Sequence, residues 1–158
     1  MNNEAAQQRT FTNALIIMQD DDVEAINQGI KTQGRHMIDC SRRIKSGMDH
    51  PYWRIGDILK HEGISLKIVG IRFQRLHDIS EADAISEGVE VVGFEGFIGF
   101  GGTMLYKDYL NTGHGCWSAK DSFRTRWQAR YGAKSWDSNK WVWVIEFERL
   151  NNNERVEK

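Results

Sequence analysis

Two segments far apart in the chain constrain its fold most. Ser65 to Leu76 reads SLKIVGIRFQRL, and Trp141 to Arg149 reads WVWVIEFER. Both are rich in β-branched and aromatic residues, which suit a pleated, packed surface. In the first, Val69, Ile71 and Phe73 fall on one face, and Leu66, Ile68, Gly70 and Arg72 on the other. That pattern predicts a long strand, apolar on both faces in its middle. In the second, Trp141, Trp143, Ile145 and Phe147 alternate with Val142, Val144, Glu146 and Glu148. It predicts a strand whose N-terminal half is buried on both faces.

Short helices fit between them. Asp20, Asp21 and Asp22 precede Val23, Ile26 and Ile30, and Gly29 is a natural stop, so a helix is expected over about 21–28. Ser80-Glu81-Ala82-Asp83 has the capping-box pattern with Asp for Glu and opens a helix from Glu81 to Glu87, closed by Gly88. Ser118 to Asp121 repeats the pattern, and Phe123, Trp127 and Tyr131 then form a helical stripe ended by Gly132. Lys31 to Gly56 shows little periodicity and is read as irregular. Gly56-Asp57 signals a turn into a strand starting at Ile58 and Leu59. A short strand over Val89 to Val92 leads to residues 93–115, where seven glycines predict a mobile loop or loose hairpin. Strands dominate and short helices decorate, which is an α+β or small-barrel arrangement and not a doubly wound sheet. Residues 1–19 are expected to be a flexible N-terminal segment, 20–150 a single domain and 151–158 a polar tail. The longest early apolar run, Ala14 to Met18, is too short for a signal peptide or a membrane span. Two cysteines make no disulfide framework, and a cytoplasmic protein is expected.

The formal net charge of −1 conceals strong alternation. Residues 1–30 carry −4, 31–75 carry +6, 76–100 carry −6 and 101–150 carry +3. A local basic surface is therefore compatible with the neutral total.

Several segments, taken in order, resemble the ASCH branch of the PUA-like superfamily in its phage and prophage form. Ala25 to Arg35, AINQGIKTQGR, is similar to that family's segment of a helix followed by G-x-K-T-Q-x-R. Pro51-Tyr52 with Gly56-Asp57-Ile58-Leu59 resembles its P-Y-x-x-x-G-D-x-L pattern. Val69 to Gly88, containing DISEADAISEG, resembles V-x-V-x-R-L-x-D-I-S-E-E-D-A-I-A-E-G. Ser122-Phe123-Arg124, Trp127, Gly132, Trp136 and the closing NKWVWVIEF complete the series. The resemblance spans about residues 21–150. It implies a PUA-like small mixed β-barrel flanked by short helices, with a cleft near the G-x-K-T loop for RNA or a nucleoside- or nucleotide-like small molecule. Some members hydrolyse the N4-acetyl group of acetylcytidine with a lysine, a threonine three residues on and a glutamate of the later helix. Lys31 matches the lysine and Glu87 the glutamate, but the threonine position holds Gly34, with Thr32 close by. Many phage-type members also carry a tryptophan-rich insert where this chain has only Lys60 to Ile64.

The resemblance thus orders the functional expectations. A binding protein for RNA or a nucleoside-like ligand comes first, an amidohydrolase second, and a non-catalytic phage interaction protein third. The catalytic candidates are Lys31, Glu87 and Thr32. Gln33, Arg35, Tyr52 and Trp53 are the ligand-binding candidates, since arginine can fork onto phosphate or a base edge and an aromatic ring can stack on a base. Trp127, Trp141 and Trp143 sit on a helical stripe and a strand face and are expected in the core. His36, Cys40, His114 and Cys116 have spacings that fit no standard metal pattern, so neither a metal nor another cofactor is expected.

Overall fold

The computed structural model describes residues 8–11, 22–37, 53–96 and 101–150. Seven strands and four α-helices alternate along them. Strand β1 is Thr10–Phe11, helix α1 Val23–Asn27, β2 Gln33–Met37, β3 Ile58–His61 and β4 Ile64–Arg75. A short 3-10 turn leads to α2 (Glu81–Ser86), then β5 (Val91–Gly96), β6 (Gly102–Tyr106), α3 (Ala119–Tyr131), α4 (Ala133–Asp137) and β7 (Trp141–Leu150). The main sheet has the order β1-β3-β4-β7-β2, antiparallel except for the parallel β1–β3 pair. It is a curled half-barrel with short helices against it, the α+β architecture expected from the sequence. No helix among the described residues is long and apolar enough to cross a membrane.

The two strands singled out above, β4 and β7, pair along their length at the centre of the sheet. Their two faces serve two cores. Leu66, Ile68, Ile145 and Phe147 meet Ile26 of α1 and Leu59 of β3 on one side. Val142 and Val144 meet Phe123 and Trp127 of α3 and Ala84 of α2 on the other. Ile26 is the fully buried residue of the five-residue α1, with Val23 packed beside it, and its burial contributes about 1.5–3 kcal/mol. A helix that short would not persist on propensity.

Simple alternation fails in β4. The pairing with β7 slips between Ile68 and Gly70, leaving Val69 as an extra residue that is exposed. A bulge of this kind reverses the parity of the strand. Ile71 therefore packs with Ile68 on the first core, where strict alternation had put them on opposite faces. The Glu146 side chain lies close over Gly70, where a Cβ would press on it.

Other expectations need correction. The stretch read as irregular after Lys31 contains β2, an edge strand whose Gly34 and Arg35 pair with Ile145 and Val144. Its sequence QGRHM lacks a strand pattern, and it is held by its neighbour instead. Within the polar start of the chain, Thr10 and Phe11 add to β3, tied by Arg9 to Asp57 at 2.5 Å. Of the two alternatives for the glycine-rich stretch, the hairpin agrees with the structure: β5 and β6 pair antiparallel, with Phe94 lying across Gly102, while residues 97–100, including Phe97 and Phe100, fall outside the described residues. Trp141 is 42% exposed and stacks on Phe73, so it is not a core residue, whereas Trp127 is.

Candidate functional site

Lys31 lies just beyond α1, and Glu87 is the C-cap of α2. Although 56 positions apart, they meet: Lys31 Nζ donates to Glu87 Oε2 at 3.2 Å and to the Glu87 carbonyl at 3.0 Å. The approach depends on Gly88, whose φ is +83° and whose Cβ would stand 2.9 Å from Lys31 Cβ. The other carboxylate oxygen of Glu87 accepts from Arg35 Nη1 at 2.5 Å. Both oxygens are thus engaged by cations, and all three residues are at most 5% exposed.

A second carboxylate closes the cluster from behind. Asp22, the N-cap of α1, is wholly buried; it lies 3.7 Å from Lys31 Nζ and pairs with Arg126 and Arg130 of α3. Arg126 also donates to the Glu87 carbonyl at 2.8 Å. Sequence reasoning took Asp22 for a helix-start residue and passed over both arginines. Their spacing at i and i+4 on a helix with no acid between them was the available signal. On the outer side Arg72 pairs with Asp83 of α2 and Glu146 of β7. Burial would raise the Asp83 carboxyl, but hydrogen bonds from Ser80 and the charges of Arg35 and Arg72 outweigh it and hold it below the usual carboxylate range. Beside Arg126, burial pushes the Tyr109 phenol up.

Charges this deep are costly unless paired, and removing one partner leaves the other uncompensated. Arg35 is incompletely served. Arg35 Nη1 is taken by Glu87, but Arg35 Nε and Nη2 are buried and meet no hydrogen-bond acceptor. Asp83 Oδ2 forms an ion pair with Nη2 at 3.6 Å, beyond hydrogen-bond reach. A buried donor left unmade costs about 1–3 kcal/mol. The guanidinium lies over the Phe123 ring, 5.5 Å from its centroid, which supports the cation but offers no acceptor.

The remaining candidates fall in different places. Gln33 is buried beside the cluster and donates to the Asp83 carbonyl at 3.0 Å. Thr32 is exposed, with its backbone bonded to Ser86 and Phe147, so its hydroxyl does not join the Lys31–Glu87 pair. Trp53, expected to stack on a ligand, is 7% exposed and packs in the first core, edge-on to His36. The apolar neighbours Leu59 and Ile26 claim it. Tyr52 and Cys40 lie outside the described residues. Among the described residues no group of three or more His, Cys, Asp or Glu side chains is disposed to hold a metal ion.

No protein-family model matches the chain, and none of the curated proteins does. Among solved structures, the chain is similar to the hypothetical protein PH0355, with 18% identity over 90% of this chain and 99% of that one and a TM-score of 0.48. It is similar also to an ASCH domain from Lactobacillus crispatus, with 12% identity over 89% of this chain and 79% of that one, again with a TM-score of 0.48.

Proposed function

We propose that the chain binds a nucleoside- or nucleotide-like ligand, free or as a unit of RNA, at the Lys31–Arg35–Glu87 cluster. The observation that supports this reading most is the convergence of these residues, which the motif resemblance had named from separate segments. They meet in a buried cluster where Glu87 bridges the ammonium and the guanidinium. In a low-dielectric setting such groups bind polar ligand atoms more strongly than surface charges do. Because both Glu87 oxygens are engaged, a ligand enters by exchange, taking over contacts now made within the protein. The test is a titration of isotope-labelled protein with cytidine, uridine, guanosine and a short single-stranded RNA, followed by NMR. Shifts centred on Lys31, Arg35 and Glu87 are expected. Their absence with every ligand at millimolar concentration refutes the reading.

A second reading, hydrolysis of an N4-acylated cytidine, is favoured by one distance, the 3.2 Å between Lys31 Nζ and Glu87 Oε2. There Lys31 would polarise the amide and Glu87 would carry the proton to the leaving amine. Gly34 supplies no hydroxyl and Thr32 faces solvent, so a threonine has no part in it. Incubation with N4-acetylcytidine and assay of released cytidine tests it directly. Turnover that survives Lys31→Ala unchanged would exclude this role for the lysine.

A further inference from the structure

We propose that the Nε–Nη2 edge of Arg35 is an anion seat, so that the ligand of this site carries a phosphate or carboxylate and a nucleoside monophosphate binds in preference to its nucleoside. The inference rests on the nucleoside reading for the rest of the ligand, but the seat itself is argued from Arg35 alone. The side chain is 1% exposed. Its Nη1 is fixed by Glu87, and the Phe123 ring lies under the guanidinium plane. These two contacts hold the group without using its side edge. Nε and Nη2 make no hydrogen bond, Nη2 having only its ion pair with Asp83, and they belong to the same edge. Two parallel N–H groups in a fixed fork match two oxygens of one phosphate or carboxylate.

Asp83 is the protein's own competitor for that fork. Its Oδ2 faces Nη2 at 3.6 Å but is held back by the α2 capping box, where it accepts from the Ser80 backbone at 3.2 Å. Its Oδ1 pairs with Arg72. Both oxygens are therefore committed elsewhere, and Asp83 does not close on Arg35. A ligand oxyanion carries no such tether.

The test follows the Arg35 Nε–H resonance while inorganic phosphate, acetate, cytidine and cytidine 5′-monophosphate are added in separate titrations. Phosphate is expected to shift that resonance, and the monophosphate to bind about tenfold more tightly than cytidine, the margin of one good charge-assisted fork. If cytidine and its monophosphate bind equally and phosphate leaves the resonance unmoved, the seat is refuted while the nucleoside reading stands. If phosphate binds and cytidine adds nothing, the seat stands and the nucleoside reading falls. If nothing moves the resonance, both fall. Arg35→Lys keeps the charge and removes the fork, so phosphate affinity should drop. Should that variant not fold, Asp83→Asn decides the matter. It removes the competing charge and should tighten phosphate binding by roughly threefold or more. Unchanged or weaker binding in Asp83→Asn would overturn the proposal.

Discussion

Glu87→Gln is the substitution that most sharply tests whether the cluster is an interior ion network. The side chain keeps its shape and loses its charge. In the native protein Glu87 faces Arg35 at 2.5 Å and Lys31 at 3.2 Å, and the side chains of these partners are 1% and 2% exposed. Water cannot replace the lost carboxylate. Breaking a buried pair by removing one member costs about 3–5 kcal/mol. For a chain of this length each kcal/mol lowers the melting temperature by about 2–4 °C, so a fall of roughly 6–20 °C is expected. The comparison is Glu90→Gln. Glu90 contacts Lys107 at 2.8 Å, a shorter distance than Glu87 to Lys31, but both side chains are largely solvent-exposed. Such a pair contributes about 0–1 kcal/mol. Thermal and urea unfolding of the two variants would be measured side by side. If Glu87→Gln loses no more stability than Glu90→Gln, burial does not govern these charges and the electrostatic description of the site is wrong.

Three further outcomes follow from the same geometry. Asp57 is buried and accepts from Arg9 and from the Arg54 backbone, so Asp57→Ala should cost about 1.5–3 kcal/mol and release β1; unchanged amide exchange at Thr10 would contradict the tie. Gly88→Ala should both strain a backbone at φ +83° and press on Lys31, whereas Gly113→Ala, at φ +94° with nothing within 4 Å, should pay only the left-handed strain of about 1–2 kcal/mol. Equal losses measured by urea unfolding would mean that the Gly88–Lys31 contact is not limiting. Asp83 has a depressed pKa, so its contribution to stability is present above about pH 4, the ordinary carboxylate value, and is lost as pH falls through the folded-state value. The stability gap between the native protein and Asp83→Asn should therefore narrow below that pH, and a gap constant down to pH 2 would refute the assignment.

The strands and helices that carry their own pattern were legible from the sequence. β4, β7, α2 and α3 lie where periodicity and capping residues put them, and the Ser80 capping box forms with both of its hydrogen bonds. What escaped was fixed by neighbours rather than by local pattern. β2 has no strand signature because β7 supplies its partner, and β1 is held by Arg9 and Asp57 across 48 positions. The Val69 bulge could not be read because it is a slip of register against β7, a strand some 70 positions away. In the site, motif resemblance named Lys31, Arg35 and Glu87, which do converge. Asp22 and Arg126 were missed because each has a plausible local role, as a cap and as a solvated helix arginine. Trp53 was misplaced for a related reason: proximity to basic residues in sequence says nothing of the core that receives its ring.

The alternating charge blocks take on a different meaning in three dimensions. Lys31, Arg35 and Arg72 belong to the +6 block, and Asp83 and Glu87 to the −6 block that follows it. They neutralise each other within the fold, and Glu146 completes the set from β7. These cations are therefore not a surface on which an RNA backbone could lie, since contacts with successive phosphates would break existing ion pairs. A protein that neutralises many phosphates shows a steep salt dependence, about −0.7 per phosphate for single strands. With its central cations committed internally and one donor edge of Arg35 left over, this site should show a shallow slope, about that of a single anion. A slope of several units with single-stranded RNA would place the binding surface elsewhere on the molecule. A slope near one would tie affinity to the Arg35 edge and make recognition a matter of one oxyanion and the groups that surround it.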